Sequence, residues 1–150
     1  MAVGDLRIRP AASADLAGFR ALYRHLIPDD LPLDDASAEE RFAQILVHPG
    51  MTIFGGFIEA APVSSCTLIV IPNLLRGGRN YALIENVVTH ADHRQKGFGR
   101  AVLHHAVEQA FSQNCYKVML MTGSSNPATL RFYSESGFAT TKTGFEIRRL

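Results

Sequence analysis

A strand-like segment, a basic turn that contains glycine and a helix-like segment follow one another directly in this chain. They occupy residues 81–89, 93–100 and 101–107. Backbone N–H groups at a helix N-terminus have no partner within the helix, and the helix dipole adds positive potential there. Glycines in such a turn let the backbone approach an anion closely. The sequence therefore predicts a phosphate-binding turn between a strand and a helix.

Composition predicts one ordinary globular domain over residues 1–150, with 47% hydrophobic and 19% charged residues. The net charge of +1 offers no bulk attraction to nucleic acid. No apolar run reaches the roughly 20 residues that cross a bilayer, so neither a nucleic acid nor a membrane is an expected partner. Two cysteines in apolar segments, and an N-terminus without a secretory pattern, predict a cytoplasmic protein with free thiols.

Local patterns predict an α/β fold with a mixed sheet, in the order β-α-α-β-β-β-α-β-α-β. Strands are expected at residues 6–10, 52–59, 63–71, 81–89 and 116–121. Helices are expected after Ser13, Ser37, Gly99 and Asn126, where apolar residues recur with helical spacing. One or two further strands are expected to close the chain over residues 139–150.

The turn itself carries the pattern Arg94-x-x-Gly97-x-Gly99, which is neither the dinucleotide fingerprint nor the Walker loop. With three other segments in order, it resembles the GNAT N-acetyltransferase family. The other segments are residues 84–89, Asn126 followed by Phe132-Tyr133, and Gly137-Phe138. The resemblance covers nearly the whole chain and implies the GNAT fold.

The resemblance also implies that acetyl-CoA is the co-substrate and that no metal takes part. Residues 87–89 would offer backbone groups to the pantetheine amides, as an added strand would. The implied coenzyme-binding residues are Val87, Val88, Thr89, Arg94, Gln95, Lys96, Gly97, Phe98, Gly99, Arg100, Asn126 and Tyr133.

Within the family, the chain is most similar to the glucosamine-6-phosphate N-acetyltransferase branch, across residues 66–70, 84–88 and 114–118. Two positions depart from that branch. Asn86 stands where the branch generally has Asp, and Met121 begins a neutral segment where the branch has an acidic residue. These positions touch the sugar in the branch, so the resemblance leaves the acceptor open.

Two side chains are the candidate catalytic groups. Strand alternation places Glu85 on the face of Leu83 and Val87, away from Val88, where a carboxylate among apolar neighbours suits a general base acting through water. The alternative is a cross-strand salt bridge. By resemblance, the Tyr133 hydroxyl faces the coenzyme sulfur and protonates the leaving thiolate. Without the resemblance, Tyr133 would be a core aromatic, and Asn126 a helix cap.

Other polar residues carry weaker signals. Solvated side chains are expected for the histidines, since no cysteine or carboxylate framework for a metal accompanies them. Cys115 is expected to be a packed thiol and not a nucleophile. Arginines in two places could face an anionic substrate or be solvated. The histidines are His90, His93, His104 and His105, and the arginines are Arg76, Arg79, Arg148 and Arg149.

These features together predict an N-acetyltransferase that acts on a primary amine of a small molecule by direct attack, with an amino sugar phosphate as the sharpest candidate. The alternatives are an acetyltransferase of an amino acid, polyamine or aminoglycoside, and a non-catalytic acyl-CoA-binding module. The polar loop at residues 73–80 resembles the dimer-forming arm of the sugar-phosphate branch. A homodimer is therefore expected.

Overall fold

The computed structural model describes residues 5–149. Within them the order β-α-α-β-β-β-α-β-α follows the prediction. The strands are β1 (Arg7–Pro10), β2 (Met51–Ile58), β3 (Ala61–Ile71), β4 (Asn80–Thr89) and β5 (Cys115–Leu120). The helices are α1 (Leu16–Tyr23), α2 (Asp35–Val47), α3 (Phe98–Ser112) and α4 (Pro127–Glu135).

The strands form one mixed sheet in the order β1-β2-β3-β4-β5. The first three pairings are antiparallel, and β4 pairs with β5 in parallel because α3 carries the chain back across the sheet. The predicted α/β fold with a mixed sheet is thereby confirmed. Strand β1 lies at an edge, where Pro10 can end it without removing an interior hydrogen bond.

Helices cover both faces of this sheet. One face carries a buried cluster contributed by α1, α2, β2 and β4: Phe19, Leu22, Phe42, Ile53, Phe57 and Val88. Each such large side chain contributes about 1.5–3 kcal/mol when fully buried. Helix α3 packs on the other face, where Cys66 lies 4.0 Å from the Val102 carbonyl and Phe54 meets His105 edge to face.

A bulge interrupts β4 near its end. Ser65 lies opposite Val88 and Thr67 opposite Glu85, so β3 has one residue between the paired positions and β4 has two. The extra residue is accommodated by Asn86, whose φ of 52° is left-handed. Side chains directly opposite each other share a face, so Glu85 and Val88 project to the same side of the sheet. The prediction that Val88 faces away from Glu85 is wrong, because the bulge reverses the alternation.

Contacts between Cα atoms divide the chain into two compact units, Met1–Leu120 and Met121–Leu150. The second unit contains α4, which Gly137 follows with a φ of 92°. No strand follows α4 up to residue 149, so the predicted closing strand is wrong over residues 139–149, and residue 150 lies outside the described part. Phe145 and Ile147 alternate as strand residues do, but both are almost fully exposed, and alternation without a partner does not make a strand. The single domain over residues 1–150 stays a prediction.

Both cysteines are buried and free, as the sequence predicts. Burial raises the pKa of the Cys66 thiol to about 12 and also raises the pKa of Cys115. A thiol of this kind stays protonated at neutral pH, which does not suit it to be a nucleophile. No helix among residues 5–149 combines the length and the apolar character needed to cross a membrane.

Candidate active site

The predicted phosphate-binding turn connects β4 to α3 and bends through two left-handed residues. Gln95 has a φ of 59°, and Gly97, at the N-cap of α3, has a φ of 81°. The backbone N–H of Ala101 donates to the Gly97 carbonyl at 3.0 Å, closing the first turn of the helix. The N–H groups of residues 98–100 precede that bond and have no acceptor within the helix. These N–H groups are the ones that the predicted phosphate-binding turn would use, and the binding of phosphate stays a prediction.

The start of α3 is anchored by an aromatic stack. Phe98 is 1% exposed, and its ring stacks on His93 with 5.9 Å between centroids. The Phe98 side chain thus belongs to the core, and only its backbone can serve a ligand. Burial lowers the pKa of His93, whose Nδ1 atom is itself buried. The prediction of solvated histidines is therefore wrong for His93, and also for the half-buried His105 that packs on Phe54.

The cations of the turn lie in different positions. Arg94 donates from Nε to the Thr89 carbonyl at 3.2 Å and from a terminal nitrogen to the His25 carbonyl at 3.3 Å. Lys96 donates from Nζ to the Asp92 carbonyl at 2.8 Å. Arg100 is exposed in the first turn of α3. All three side chains therefore place positive charge along the turn. Arg94 and Lys96 also donate hydrogen bonds to backbone carbonyls.

The end of β4 has an edge that β5 does not cover. Strand β5 pairs with β4 only as far as Ile84, opposite Leu120. Beyond that point Val87 is half-buried and Val88 is buried, and the Val88 carbonyl accepts a hydrogen bond from Ser64 Oγ at 3.1 Å. The backbone of residues 85–89 that faces the β5 side can therefore accept an added extended chain.

Glu85 lies at this edge, exposed and directly opposite the polar Thr67. The predicted apolar surroundings are therefore wrong, because the side chain is exposed and its cross-strand neighbour is polar. Burial raises the pKa of the Tyr23 hydroxyl, which lies beside Ser65 and Thr67. The Ser65 hydroxyl is itself buried and, among the described residues, has no hydrogen-bond partner. Sequence reasoning missed the contact between Tyr23 and β3, because it joins positions that are distant in sequence.

In the second unit, Asn126 caps α4 by accepting a hydrogen bond from the Ala128 N–H at 2.9 Å. Tyr133 is half-buried, with its ring edge to face against Phe132 and Phe138 at 5.1 Å and 6.5 Å between centroids. The cap and the aromatic packing are both present. The coenzyme contact of Asn126 and the catalytic role of Tyr133 stay predictions.

Three histidine rings lie close together near the turn. The rings of His25 and His90 lie 4.0 Å apart between centroids, and His90 and His93 lie 5.5 Å apart. Across residues 5–149, no group of three or more histidine, cysteine or acidic side chains is arranged to hold a metal ion. Sequence reasoning missed His25, because its contact with the turn joins positions distant in sequence.

The arginines before β4 lie against β5. Arg76 is over the Tyr116 ring at 5.6 Å from its centroid, and Arg79 donates to the Cys115 carbonyl at 3.5 Å. In the second unit, Arg148 pairs with Glu146 at 3.1 Å. These contacts give three of the four arginines a structural partner, and recognition of an anionic substrate by them stays a prediction.

The model of the acetyltransferase (GNAT) family matches residues 19–138, which include parts of both units. Glucosamine 6-phosphate N-acetyltransferase of Trypanosoma brucei brucei is 30% identical over 138 residues, covering 89% of each chain. Streptothricin acetyltransferase A of Bacillus subtilis (strain 168) is 40% identical over 58 residues, 39% of this chain and 34% of its own. A solved structure from Agrobacterium tumefaciens str. C58, assigned as an acetyltransferase, is 48% identical with a TM-score of 0.93, covering 95% of this chain and 99% of that one.

Proposed function

The chain belongs to the acetyltransferase (GNAT) family and is an N-acetyltransferase, and we propose that it acetylates the primary amine of an amino sugar phosphate. Acetyl-CoA is the co-substrate that the family uses. The observation that supports acetyl-CoA as the co-substrate is a turn with Gly97 at a left-handed helix cap, directly after a strand end that β5 does not pair with. A coenzyme with a pyrophosphate and a peptide-like arm needs both.

The residues present fit the coenzyme. The N–H groups at the start of α3 would donate to the pyrophosphate, and Lys96 and Arg100 would add positive charge. Gly97 has no side chain to fill the space in front of these donors. Residues 87–89, which β5 does not pair with, would hold the pantetheine arm through their backbone groups.

The chemistry requires a neutral amine and a protonated leaving group. A simple primary alkylamine titrates near 10 and is mostly protonated at neutral pH, so a base must remove one proton. Glu85, exposed at the strand edge, takes that proton through a water molecule. The amine nitrogen then bonds to the acetyl carbon and gives its second proton to water as the carbon–sulfur bond breaks, while Tyr133 gives its hydroxyl proton to the thiolate and regains one from solvent.

The acceptor is proposed from the relative that matches 89% of this chain. Asn86 is one of the two positions that depart from that branch, and it lies at the bulge, next to Glu85. An amide can still accept and donate hydrogen bonds to sugar hydroxyls, although it adds no charge. A second acceptor, the amine of an antibiotic, is favoured by the 40% identity with streptothricin acetyltransferase A over 58 residues.

The test is a panel of amines read by thiol release from acetyl-CoA. We expect glucosamine 6-phosphate to give a kcat/KM about tenfold or more above that of glucosamine, because recognition includes the phosphate. The proposed acceptor would be wrong if the highest kcat/KM were found for streptothricin, an aminoglycoside, a polyamine or an amino acid. Coenzyme binding by calorimetry without thiol release for any amine would instead indicate a non-catalytic acyl-CoA-binding module.

A homodimer is also proposed. Leu74 and Leu75, in the loop before β4, are 98% and 72% exposed. Exposed apolar side chains on adjacent residues are typical of a surface that another chain covers. Light scattering should give twice the 16.4 kDa of one chain, and a double serine substitution at these two positions should give the single-chain mass. A cytoplasmic location is supported by the two free cysteines.

A further inference from the structure

Arg94 joins two backbone segments that are far apart in sequence. Its Nε donates to the carbonyl of Thr89, the last residue of β4, at 3.2 Å. Its terminal nitrogen donates to the carbonyl of His25, two residues beyond the end of α1, at 3.3 Å. The planar guanidinium presents donors in a fixed fork, so one side chain can hold both carbonyls at once.

Further contacts join the same two segments. The Ala91 N–H points at Nδ1 of His25 at 3.5 Å, and the His25 ring lies against His90. Nδ1 of His90 accepts a hydrogen bond from the Asp92 N–H at 3.2 Å, which caps the short turn at residues 91–93. The segment after α1 is therefore docked on the turn that leads into the coenzyme-binding residues, and Arg94 is the side chain that reaches both.

We propose that Arg94 is a positioning residue, which acts on acetyl-CoA through the backbone it holds and not as a ligand of the coenzyme phosphates. This inference rests on the proposed function, because it takes acetyl-CoA as the ligand of the turn. Removal of the Arg94 guanidinium breaks the hydrogen bonds to the Thr89 carbonyl and the His25 carbonyl together. The end of β4 and the N–H groups at the start of α3 then lose their fixed relation, which both parts of the coenzyme need.

Two thioesters separate the two roles. Acetyl-CoA carries the phosphates, whereas S-acetylpantetheine lacks them and uses only the strand edge. The kcat/KM for each is measured with wild type, Arg94→Met and Arg94→Lys, together with KM for acetyl-CoA and the melting temperature. Arg100→Met serves as the matched control. It makes the same change of arginine to methionine, but at a residue in the first turn of α3.

We expect Arg94→Met and Arg94→Lys to lose kcat/KM by similar factors for both thioesters, about tenfold for the two hydrogen bonds. Lysine keeps the charge but cannot hold two carbonyls, so Arg94→Lys should not restore kcat/KM. Arg100→Met should affect acetyl-CoA alone. A loss in Arg94→Met that is confined to acetyl-CoA and restored by lysine would overturn the proposal, as would unchanged kinetics in both variants.

A purely structural role predicts a different pattern: a lower melting temperature and a lower kcat from a smaller folded fraction, with KM for acetyl-CoA unchanged. That pattern also overturns the proposal. If wild type releases no thiol from acetyl-CoA with any amine, the proposed function fails. The same variants are then compared by calorimetry with CoA and pantetheine, where equal losses for both ligands support the positioning role and a loss for CoA alone refutes it.

Discussion

Glu85 and Val88 project from the same face of β4, although they are three residues apart and strand alternation would separate them. The cause is the extra residue at the bulge, where Asn86 adopts a φ of 52°. Val88 contributes to the core beneath α1 and α2, while Glu85 is exposed at the point where β5 no longer pairs with β4. Glu85 therefore lies beside the edge that the coenzyme arm is proposed to use, and the bulge brings Val88 to the same face.

The first prediction concerns the left-handed backbone of the bulge. Asn86→Val should lower the free energy of unfolding by about 1–2 kcal/mol, because a β-branched residue is strained at positive φ. Asn86→Gly is the matched control and should leave stability nearly unchanged, since glycine adopts this conformation freely. Denaturant unfolding measures both. Equal stability of the two variants would contradict the strain at this position.

The second prediction concerns the coenzyme-binding turn. Gly97→Glu should abolish acetyl-CoA binding, because the side chain would place a negative charge against the phosphates. Gly77→Glu is the control: it adds the same charge at a similar φ of 70°, in open space before the start of β4. Both variants should lose stability from strain, but only Gly97→Glu should lose binding in calorimetry. Unchanged affinity in Gly97→Glu would refute the phosphate assignment.

The third prediction tests Glu85 as the base. Glu85→Gln keeps the size of the side chain but cannot accept a proton at neutral pH. Activity should fall most at low pH and recover as the pH approaches the acceptor amine's own pKa, where the free amine is abundant without a base. Parallel pH–rate curves for wild type and variant would show that Glu85 is not the base.

The fourth prediction concerns Tyr133. Tyr133→Phe retains the ring that packs against Phe132 and Phe138 and removes only the hydroxyl. If the hydroxyl protonates the thiolate, kcat should fall about 10²-fold with little change in coenzyme affinity. An unchanged kcat, measured where chemistry limits the rate, would assign Tyr133 to packing alone.

The fifth prediction concerns acid stability. Burial lowers the pKa of His93, with a further contribution from Lys96, so the folded protein holds this proton less tightly than the unfolded chain does. The stabilisation is present above the ordinary histidine pKa of about 6.5 and is lost as the pH falls through the lowered value. His93→Phe keeps an aromatic ring against Phe98 without the titration. Between about pH 7.5 and about pH 5.5 its unfolding free energy should decline less than that of wild type, and an equal decline would contradict the assignment.

Much of the fold follows from local signals. Helical periodicity and strand alternation predict every element from β1 to α4, because the spacing of apolar residues along each segment is a local property of the sequence. The prediction of a closing strand is wrong for a different reason. Residues 139–149 alternate correctly, but a strand also needs a neighbour, which local sequence does not specify.

The sequence by itself determined the turn between β4 and α3 and predicted that it binds phosphate, because its cations, glycines and helix start are adjacent along the chain. It also carried the family resemblance that the family match confirms. Only the tertiary structure decided that Glu85 is exposed opposite Thr67, that Tyr23 reaches β3, and that Arg94 holds the His25 carbonyl. Each of these depends on a bulge or on a contact between distant segments, and neither the register of β4 nor the docking of α1 is encoded within a few neighbouring residues.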